Sequence, residues 1–416
     1  MRRPSPHADT RVLVAGIAAA LSGVGLIQAH VAAGLAKRFS AHARGQGVVP
    51  EVVRDRRGSA GESATPPITI LKPLCGEEPL LEQALATICA QRYPAFQVVF
   101  GVQDARDRAL PVVARLRQQF PHCDIAVVVN LAQHGSNRKV SNLINIFPAA
   151  KHDLLVIADS DVHAEPDYLA RLAATLAEPE TGLVTTLYAG LPSSNRLAAK
   201  LGAMQITHNF LPGALLARAL GRQDCLGATM AFRRETLAQA GGLGALVDHL
   251  ADDQVLGRRV RALGCAVRLA PTIPATTVPE TDLGSLIRHE LRWARTIRTL
   301  VPAAFAASLL QYPIFWALCS VALSAGALWS LAAFALAWAL RAWAARRVDG
   351  ALLPMLRGLA FACPVWLLPL RDLISIGVMV ASYLSRTVDW RGHRLIADTP
   401  APLVPGFAAS KEMHPR

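Results

Sequence analysis

Two long stretches without a charged side chain constrain this chain most, because only a membrane or a very large core accommodates them. Residues 12–36 contain no Asp, Glu, Lys or Arg over 25 positions, and residues 299–340 contain none over 42. A helix that spans a bilayer needs about 20 such residues. The first stretch therefore predicts one transmembrane anchor, and the second predicts two transmembrane helices with a turn near residues 324–326.

A cleaved signal peptide is the alternative for the first stretch, but its apolar region has only about 7–15 residues. The composition agrees with a membrane protein. Of the 416 residues, 52% are hydrophobic and 18% are charged, whereas soluble domains carry about 25% charged residues. Disordered chains combine low hydrophobicity with high charge, so the composition also excludes that class.

A third apolar region, residues 358–385, is interrupted near its centre by Arg371 and Asp372. An unpaired charge at the centre of a bilayer is costly. Three arrangements are compatible with this pattern: two short re-entrant segments, a pair of spans, or an Arg–Asp pair inside a helix bundle. The sequence does not separate them.

Basic residues on either side of the first stretch predict its orientation, because cytoplasmic flanks carry the excess of Lys and Arg. Three basic residues precede the stretch and six follow it: Arg2, Arg3 and Arg11, then Lys37, Arg38, Arg44, Arg54, Arg56 and Arg57. The domain that follows is therefore predicted to lie in the cytoplasm.

The formal net charge of +13 does not indicate nucleic-acid binding. Much of the basic surplus lies beside the predicted spans, where anionic lipid headgroups attract it. The sequence has no zinc-finger spacing, RNP-like string or basic stripe with interleaved aromatic residues. We expect a membrane partner and no nucleic acid.

The region between the apolar stretches alternates predicted strands and helices. The predicted strands, which are largely apolar, are residues 68–73, 96–102, 124–129 and 153–158. Apolar strands that alternate with helices are typical of a mostly parallel sheet with helices on both faces. The sequence therefore predicts an α/β fold, in which ligands bind at the carboxyl ends of the strands.

Aspartates follow two of these predicted strands. Asp104 follows the second strand, and Asp159 and Asp161 follow the fourth. Two carboxylates one residue apart can hold Mg²⁺ or Mn²⁺ and leave positions for phosphate oxygens, and Asp104 can accept hydrogen bonds from a nucleoside. Turns and helix caps are the alternatives, because Asp is common in both.

Two further groups of residues carry possible chemistry. Asp252 and Asp253 precede a predicted helix; we expect Asp252 to cap it and Asp253 to be a candidate general base. Arg292 and Trp293 lie just before the second apolar stretch. Arg is suited to bidentate contact with a diphosphate, although an interfacial Arg–Trp anchor has the same composition.

Six short motifs occur in one order along the chain. They are LKPL at 71–74, VQD at 102–104, NRKVSNL at 137–143, ADSD at 158–161, ADDQ at 251–254 and LRW at 291–293. Together they resemble the ceramide glucosyltransferase family (glycosyltransferase family 21), and most closely its bacterial branch, the hopanoid-biosynthesis-associated glycosyltransferases. The resemblance extends from about residue 10 to residue 396. It implies a GT-A glycosyltransferase domain plus transmembrane helices.

The resemblance also implies roles for individual residues. The implied nucleotide-sugar-binding residues are Asp104, Lys139, Asn142, Asp159, Arg292 and Trp293. Asp159 and Asp161 are implied to bind Mg²⁺ or Mn²⁺, and Asp253 is implied to be the catalytic base. Eukaryotic members tend to lack the second acidic residue of this pair, so Asp161 favours metal dependence in this chain.

Two histidines are implied to lie at the acceptor site. His208 loosely matches a family histidine near the acceptor. His289 stands where the family has Gln or Arg, three residues before Arg292. A histidine still donates a hydrogen bond, but it is only partly charged near neutral pH, so this departure weakens any anion-binding role.

The expected function is that of a membrane-bound inverting transferase. It moves one sugar from UDP-glucose or UDP-N-acetylglucosamine to a lipid hydroxyl at the cytoplasmic leaflet of a bacterial inner membrane, with a hopanoid polyol, ceramide or diacylglycerol as acceptor. We expect an N-terminal anchor at residues 1–40, a basic linker at 41–66 and the catalytic domain at 67–298. Two transmembrane helices are expected at 299–345, further transmembrane or re-entrant segments at 351–386, and a tail at 387–416.

Two alternatives of other classes are open. A processive polysaccharide synthase shares the aspartates and the Arg–Trp element, but it usually needs a larger helix bundle. A non-catalytic, membrane-anchored GT-A-like binding protein is the other, and a missing aspartate would indicate it; none is missing. No Gly-x-Gly-x-x-Gly follows a predicted strand, which argues against a nicotinamide-dependent enzyme.

Overall fold

A computed structural model describes residues 6–45, 65–385, 387–390 and 393–396. Most of the predicted basic linker (41–66) and most of the predicted tail (387–416) lie outside the described residues. The same holds for five of the basic residues that predict the orientation: Arg2, Arg3, Arg54, Arg56 and Arg57.

The central sheet has seven strands in the order β3-β2-β1-β4-β8-β6-β9. These are β1 (Ile68–Pro73), β2 (Phe96–Val102), β3 (Asp124–Val129), β4 (Leu154–Ala158), β6 (Thr181–Thr185), β8 (Thr229–Arg233) and β9 (Ala266–Leu269). The first four strands are mutually parallel, and β8 runs antiparallel to both β4 and β6. The predicted mostly parallel sheet is confirmed, and its four predicted strands are β1 to β4.

A small second sheet continues from the end of β4, with the order β5-β10-β7. Its strands are β5 (Val162–His163), β7 (Ala189–Pro192) and β10 (Ala275–Val278). Since β5 begins directly after Asp161, the second sheet extends the edge at which the predicted ligands lie. A separate hairpin pairs β11 (Thr387–Trp390) with β12 (His393–Ile396).

Helices cover both faces of the central sheet because its strands are apolar on both sides. Ile70 packs on one face with α2 (Leu81–Cys89), α3 (Ala109–Gln119) and α5 (Tyr168–Leu176). Leu71, the next residue of β1, packs on the other face. That face is covered by α4 (Arg138–Ile146), α8 (Arg234–Gln239) and α9 (Asp252–Ala262). Because helices cover both faces of the sheet, successive residues of each strand are largely apolar, and the strand sequences do not alternate between apolar and polar residues.

Within the described residues, three helices are long and apolar enough to cross a membrane: Thr10–Gly45, Leu328–Leu356 and Val365–Ser382. The first lies in α1 (Pro6–Gly45), the second is α13 (Leu328–Leu356), and the third contains α14 (Leu368–Ser382). Large apolar side chains on them face outward; Ile27 is 68% exposed and Leu328 is 85% exposed. Such surfaces are stable in lipid rather than in water.

The segment between the α/β domain and α13 is broken rather than straight. A short α11 (Pro302–Ala307) and a 3₁₀ turn are followed by α12 (Pro313–Leu323), with a bend of 67° between the two parts. Pro302 and Pro313 each begin a helix, a position that proline favours. The chain then turns at residues 324–327 into α13, at the place where the sequence predicts a turn.

Arg371 and Asp372 lie inside the bundle, which is the third of the three arrangements open from the sequence. The structure leaves Arg371 1% exposed and Asp372 fully buried. Asp372 accepts a hydrogen bond of 3.2 Å from the Ile314 amide, at the first turn of α12. The Arg371 guanidinium donates hydrogen bonds to the Glu290 carboxylate, so both charges have partners on neighbouring elements, and α14 continues as one helix through them.

The α/β domain is packed directly onto the apolar helices. A buried cluster joins Ala33 of α1 and Val348 of α13 to Ala275 of β10. The same cluster contains Leu211 of α7 (Leu211–Ala219), which follows α6 (Leu197–Met204) and a π-helical turn, Gln205–Phe210. The second sheet therefore lies between the apolar helices and the edge of the central sheet at which the predicted site residues lie.

Candidate active site

The carboxyl ends of the parallel strands place two predicted site residues on one edge of the sheet. Asp159 follows β4 directly, and Asp104 follows β2, with β1 lying between these strands. Neighbouring strands are about 4.8 Å apart, so the two strand ends are separated by about 10 Å. Asp104 is exposed, and its carboxylate accepts a 2.9 Å hydrogen bond from the Arg106 amide.

Lys139 connects the end of β4 with the start of α9. It lies in the first turn of α4, whose N-cap Asn137 accepts a 3.0 Å hydrogen bond from the Val140 amide. The Lys139 ammonium lies 2.6 Å from Asp159 Oδ1 and 3.8 Å from Asp252 Oδ2. Burial opposes its charge, but Asp159 and Asp252 raise the pKa of Lys139 above its usual value, so this group is a permanent cation in the site.

Asp161 is partly buried beside Asp159 and is held by the second sheet. Its carboxylate accepts a 2.5 Å hydrogen bond from the Thr276 hydroxyl of β10. Burial, and then repulsion by Asp159, raise the pKa of Asp161 to about 6. A carboxyl group with a raised pKa is stabilised in its charged form by a nearby cation, so the surroundings of Asp161 favour binding of a positive ion.

Asp253 lies in the first turn of α9 against the loop that precedes β8. A Cβ atom on Gly227 would lie 2.8 Å from Asp253 Oδ2, so only a glycine lets this loop approach the carboxylate. Asp253 Oδ1 accepts a 2.7 Å hydrogen bond from the Gln254 amide. Burial, and then the charge of Asp252, raise the pKa of Asp253 to about 7.

The predicted capping role of Asp252 is wrong. Ala251 occupies the N-cap position, and Asp252 is the first residue of α9. Its buried carboxylate turns toward the neighbouring loop, where it lies 3.4 Å from Asn137 Nδ2 and 3.8 Å from the Lys139 ammonium. Asp252 is therefore one of the two carboxylates that lie near the Lys139 ammonium; the other is Asp159.

Asn142, a predicted nucleotide contact, lies next to the carboxyl ends of β1 and β2. It is 3% exposed. Its amide donates a 2.8 Å hydrogen bond to the Gly101 carbonyl of β2 and a longer one, 3.4 Å, to the Leu74 carbonyl that follows β1. In the structure Asn142 fixes the ends of two strands; a contact with the nucleotide stays a prediction.

Arg292 and Trp293 lie on α10 (Leu283–Leu300), together with His289. Trp293 packs against a small buried cluster of Ala203, Ile206 and Val278, the last residue of β10, so it lies near the second sheet. The His289 ring meets Trp293 edge-on with 4.7 Å between centroids, and its Nδ1 hydrogen-bonds the Glu280 carboxylate. The partner of His289 in the structure is thus a carboxylate of this chain.

His208 lies in the π-helical turn and faces α13. Its Nε2 lies 2.7 Å from Asp349 Oδ1, and burial lowers the pKa of His208. The Arg341 guanidinium, also on α13, donates a 2.8 Å hydrogen bond to the His208 carbonyl. The structure therefore brings His208 to the apolar helices, while the predicted acceptor role stays a prediction.

Lys72 is a site residue to which the sequence reasoning gave no role. This fully buried lysine at the end of β1 donates a 2.5 Å hydrogen bond to the Asp159 carbonyl. Burial lowers the pKa of Lys72 to about 8, against the raising effect of Asp161 and Asp159. A lysine in an otherwise apolar strand end, within the LKPL motif, is the signal that identifies it.

The carboxylates suit a divalent cation that is shared with a ligand. In the described part of the chain, no group of three or more His, Cys, Asp or Glu side chains is arranged to hold a metal. Asp159 and Asp161 form a pair instead. Mg²⁺ is commonly bound by one or two carboxylates with water and phosphate oxygens completing the shell, so a pair fits a phosphate-bearing substrate.

Comparison with known proteins identifies relatives. Ceramide glucosyltransferase 1 of Caenorhabditis elegans is 21% identical over 246 residues, which cover 59% of this chain and 53% of that protein. The N-acetylglucosaminyltransferase of Rhizobium meliloti (strain 1021) is 26% identical over 247 residues, which cover 56% and 55%. The chain spans about half the length of these curated relatives.

Among solved structures, the mannosyltransferase PcManGT from Pyrobaculum calidifontis, in complex with GDP-Man and Mn²⁺, aligns with a TM-score of 0.48. It is 20% identical and covers 87% of this chain and 99% of its own. The family profile described as "Glycosyl transferase family 21" matches residues 26–400, which is most of the chain. This match confirms the predicted family. The chain belongs to glycosyl transferase family 21.

Proposed function

We propose that this protein is a membrane-bound inverting glycosyltransferase that moves one sugar from a UDP-sugar to a lipid hydroxyl. The observation that carries the proposal is the position of Lys139, whose ammonium contacts Asp159 and faces Asp252, the neighbour of Asp253. Lys139 thus brings the expected diphosphate-binding carboxylate and the expected base to one place.

The donor is proposed to bind along the carboxyl edge of the sheet. Asp104, exposed after β2, is available to the nucleoside. Lys139 and Arg292 are the cations proposed to contact the diphosphate, because charge-assisted hydrogen bonds to phosphate are among the strongest in proteins. Trp293 is proposed to border the sugar at the membrane side of the site.

Asp159 and Asp161 are the residues that would hold Mg²⁺ or Mn²⁺. Their hard carboxylate oxygens fit either ion, and burial, followed by the negative charge of Asp159, raises the pKa of Asp161. When bound, such an ion supplies neutralising charge to the leaving diphosphate.

Asp253 is proposed as the general base. Its pKa of about 7 lies near neutral pH, which is where a general base is most effective. The Asp253 carboxylate takes the proton of the acceptor hydroxyl while the hydroxyl oxygen forms a bond to the anomeric carbon. The bond between that carbon and the diphosphate breaks on the opposite face, so UDP departs and the configuration is inverted.

The acceptor is proposed to be a lipid because helices long and apolar enough to cross a membrane lie on both sides of the domain. Ceramide glucosyltransferases among the relatives make ceramide one candidate, and a hopanoid polyol and diacylglycerol are the other two. The Rhizobium relative is an N-acetylglucosaminyltransferase, so UDP-glucose and UDP-N-acetylglucosamine are both candidate donors. The basic flanks favour a cytoplasmic catalytic domain, and the resemblance to the bacterial branch of the family favours a bacterial inner membrane.

The test is transfer of radiolabel from each UDP-sugar to lipid in membranes that contain the protein. Bacterial lipid extract and ceramide are supplied as acceptors, with Mg²⁺ or Mn²⁺. We expect label in a glycolipid that carries one sugar, as established by mass spectrometry, and no such product from the Asp159→Asn variant. A long glycan would support a processive synthase, and no labelled product with any acceptor would support a non-catalytic binding protein.

A further inference from the structure

A cavity lies between two of the candidate membrane spans and the α/β domain. Residues of α1, the π-helical turn, the start of α7, the 3₁₀ turn before α12 and α13 line it. Its polar side chains are those of Gln28, His208, Asn209, Gln311 and Arg341. Among the described residues that line it, none is an aspartate or a glutamate. We refer to this space as the inter-helix cavity.

Arg341 gives the inter-helix cavity a positive charge. It lies within α13 and is 4% exposed. Its Nη2 donates 2.8 Å hydrogen bonds to the His208 carbonyl and to Asn209 Oδ1, which are both uncharged acceptors. Within the described part of the chain, its Nε and Nη1 have no hydrogen-bond partner, and Arg341 forms no ion pair. The guanidinium therefore keeps free donors and an unneutralised charge.

The acidic residue of α13 is already engaged by other groups. Asp349 Oδ1 lies 2.7 Å from His208 Nε2. Its Oδ2 accepts a 3.1 Å hydrogen bond from the Cys363 amide and lies 3.5 Å from the Arg346 guanidinium. Because an unpaired charge at membrane depth is costly, and Asp349 does not pair with Arg341, the inter-helix cavity favours an anion that comes from outside the chain.

Gln28 adds a second hydrogen-bonding group, on α1. Gln28 and His30 are the polar side chains that interrupt the first uncharged stretch. His30 Nδ1 lies 2.9 Å from the Leu26 carbonyl of the same helix. The Gln28 side chain, by contrast, has no hydrogen-bond partner among the residues that the structure describes. Its amide can donate to an anion, so α1 and α13 each supply a donor to the inter-helix cavity.

The inter-helix cavity lies at the depth of lipid headgroups. The His30 and Trp343 rings are 4.9 Å apart between centroids, and Gln28 and Arg341 each precede one of these rings by two residues. Trp343 is 56% exposed, and the Arg347 guanidinium lies over its ring. Exposed Trp and basic residues at the end of a span are typical of the membrane–water interface. Phosphate groups of the bilayer lie at this level.

We propose that the inter-helix cavity binds the phosphate group of an anionic phospholipid. Arg is suited to phosphate because its donors have a fixed planar geometry, and basic pockets between transmembrane helices accept anionic headgroups. The described lining offers no carboxylate to the ammonium group of a zwitterionic lipid. This lipid is additional to the sugar donor and acceptor, and the site does not depend on the proposed function.

Small residues leave room for the headgroup. Ala29 and Ala32 of α1, Gly213 of α7 and Ala344 of α13 complete much of the lining. The inter-helix cavity, counted with its open side, has a volume of about 380 Å³. A phosphate bound there by Gln28 and Arg341 joins the N-terminal helix to α13 and, through the carbonyl of His208, to the α/β domain.

The test measures lipid binding to the full chain purified in a neutral detergent. Phosphatidylglycerol, phosphatidylcholine and inorganic phosphate are titrated separately, and binding is followed by native mass spectrometry and by thermal unfolding. We expect phosphatidylglycerol to raise the Tm and to bind with a Kd at least about tenfold below those of the other two ligands. If phosphatidylcholine or inorganic phosphate binds as tightly as phosphatidylglycerol, the assignment to an anionic lipid is overturned.

Variants locate the site. Arg341→Gln removes the charge but keeps an amide that can donate to the His208 carbonyl, and it is expected to raise the Kd for phosphatidylglycerol about 10-fold to 100-fold. Gln28→Leu is expected to raise it about threefold to tenfold. Arg347→Gln is the matched control, because Arg347 lies at the same depth of α13 but outside the described lining. Its Kd is expected to stay within about twofold of wild type.

The comparison of the variants decides the inference. A wild-type Kd for phosphatidylglycerol in both Arg341→Gln and Gln28→Leu would overturn it. So would an equal loss of binding in Arg347→Gln and Arg341→Gln, because that result indicates attraction by surface charge alone. Gln28→Leu carries the comparison by itself if Arg341→Gln does not fold. No sugar donor or acceptor is present in these measurements, so their outcome is independent of whether the protein transfers a sugar.

Discussion

The Arg371 guanidinium donates two hydrogen bonds of 2.7 Å to the Glu290 carboxylate, one to each oxygen. This buried pair joins α14 to α10, the helix that carries Arg292 and Trp293. Arg371 also donates a 3.2 Å hydrogen bond to the Leu201 carbonyl of α6. A candidate membrane helix thereby fixes the position of the helix that borders the site.

Breaking this pair on one side is expected to destabilise the protein strongly. Arg371→Met leaves the Glu290 carboxylate buried without its partner, which costs about 3–5 kcal/mol. The double variant Glu290→Leu/Arg371→Met removes both charges and is expected to recover most of the loss. Thermal unfolding in lipid nanodiscs measures the stability of both variants. An equal loss of stability in the single and double variants would show that this ion pair does not stabilise the contact between α10 and α14.

Removal of the Lys139 charge is expected to weaken donor binding. Lys139→Met takes away the ammonium that lies 2.6 Å from Asp159, and the loss of one charged hydrogen bond to a phosphate corresponds to a factor of about 10–100 in donor KM. Lys151→Met is the matched control, because Lys151 also forms a 2.6 Å pair with an aspartate, Asp124, but both of these side chains are exposed. A donor KM that is the same in both variants would exclude Lys139 from the donor site.

The rate is expected to increase with pH through the neutral range. A general base must be ionised, and the pKa of Asp253 is about 7. Below that value the carboxyl group is protonated and cannot accept a proton, so kcat/KM measured from pH 5 to pH 8 should fall about tenfold per pH unit on the acid side. A flat profile over this range would contradict the assignment of the base.

Removal of divalent cations is expected to abolish transfer reversibly. After treatment with EDTA, Mg²⁺ or Mn²⁺ should restore the rate in the wild type. Asp161→Asn should raise the metal concentration needed for half-maximal activity, by about tenfold or more, because one of only two proposed protein ligands loses its charge. Full activity in EDTA would contradict the metal proposal and leave the base assignment unaffected.

The sequence predicts the parts of the site that follow directly from strand ends. Asp104 and Asp159 lie at one edge of the sheet because each follows a parallel apolar strand, and this rule needs no knowledge of contacts. The family motifs add Lys139 and Asp253, which the structure brings near Asp159 and Asp252. Asp104 and Asp159 were predictable because each follows a strand directly in the sequence, whereas Lys139 was implied only by the resemblance to the family.

Contacts between distant segments were not predictable. Arg371 pairs with Glu290, which is 81 residues away, and His208 pairs with Asp349, which is 141 residues away. Nothing in the local sequence identifies either partner. The capping prediction for Asp252 failed for the same reason. The Asp252 carboxylate lies near Asn137 and Lys139, which are more than 110 positions earlier in the chain.

The most direct measurement of the central claim is made on Asp253→Asn, with UDP binding and lipid glycosylation measured on the same preparation. The amide keeps the size of the side chain but cannot take a proton from the acceptor. We predict a Kd for UDP within about twofold of wild type, together with a loss of turnover of about 100-fold to 10,000-fold. Turnover close to that of the wild type would contradict the account.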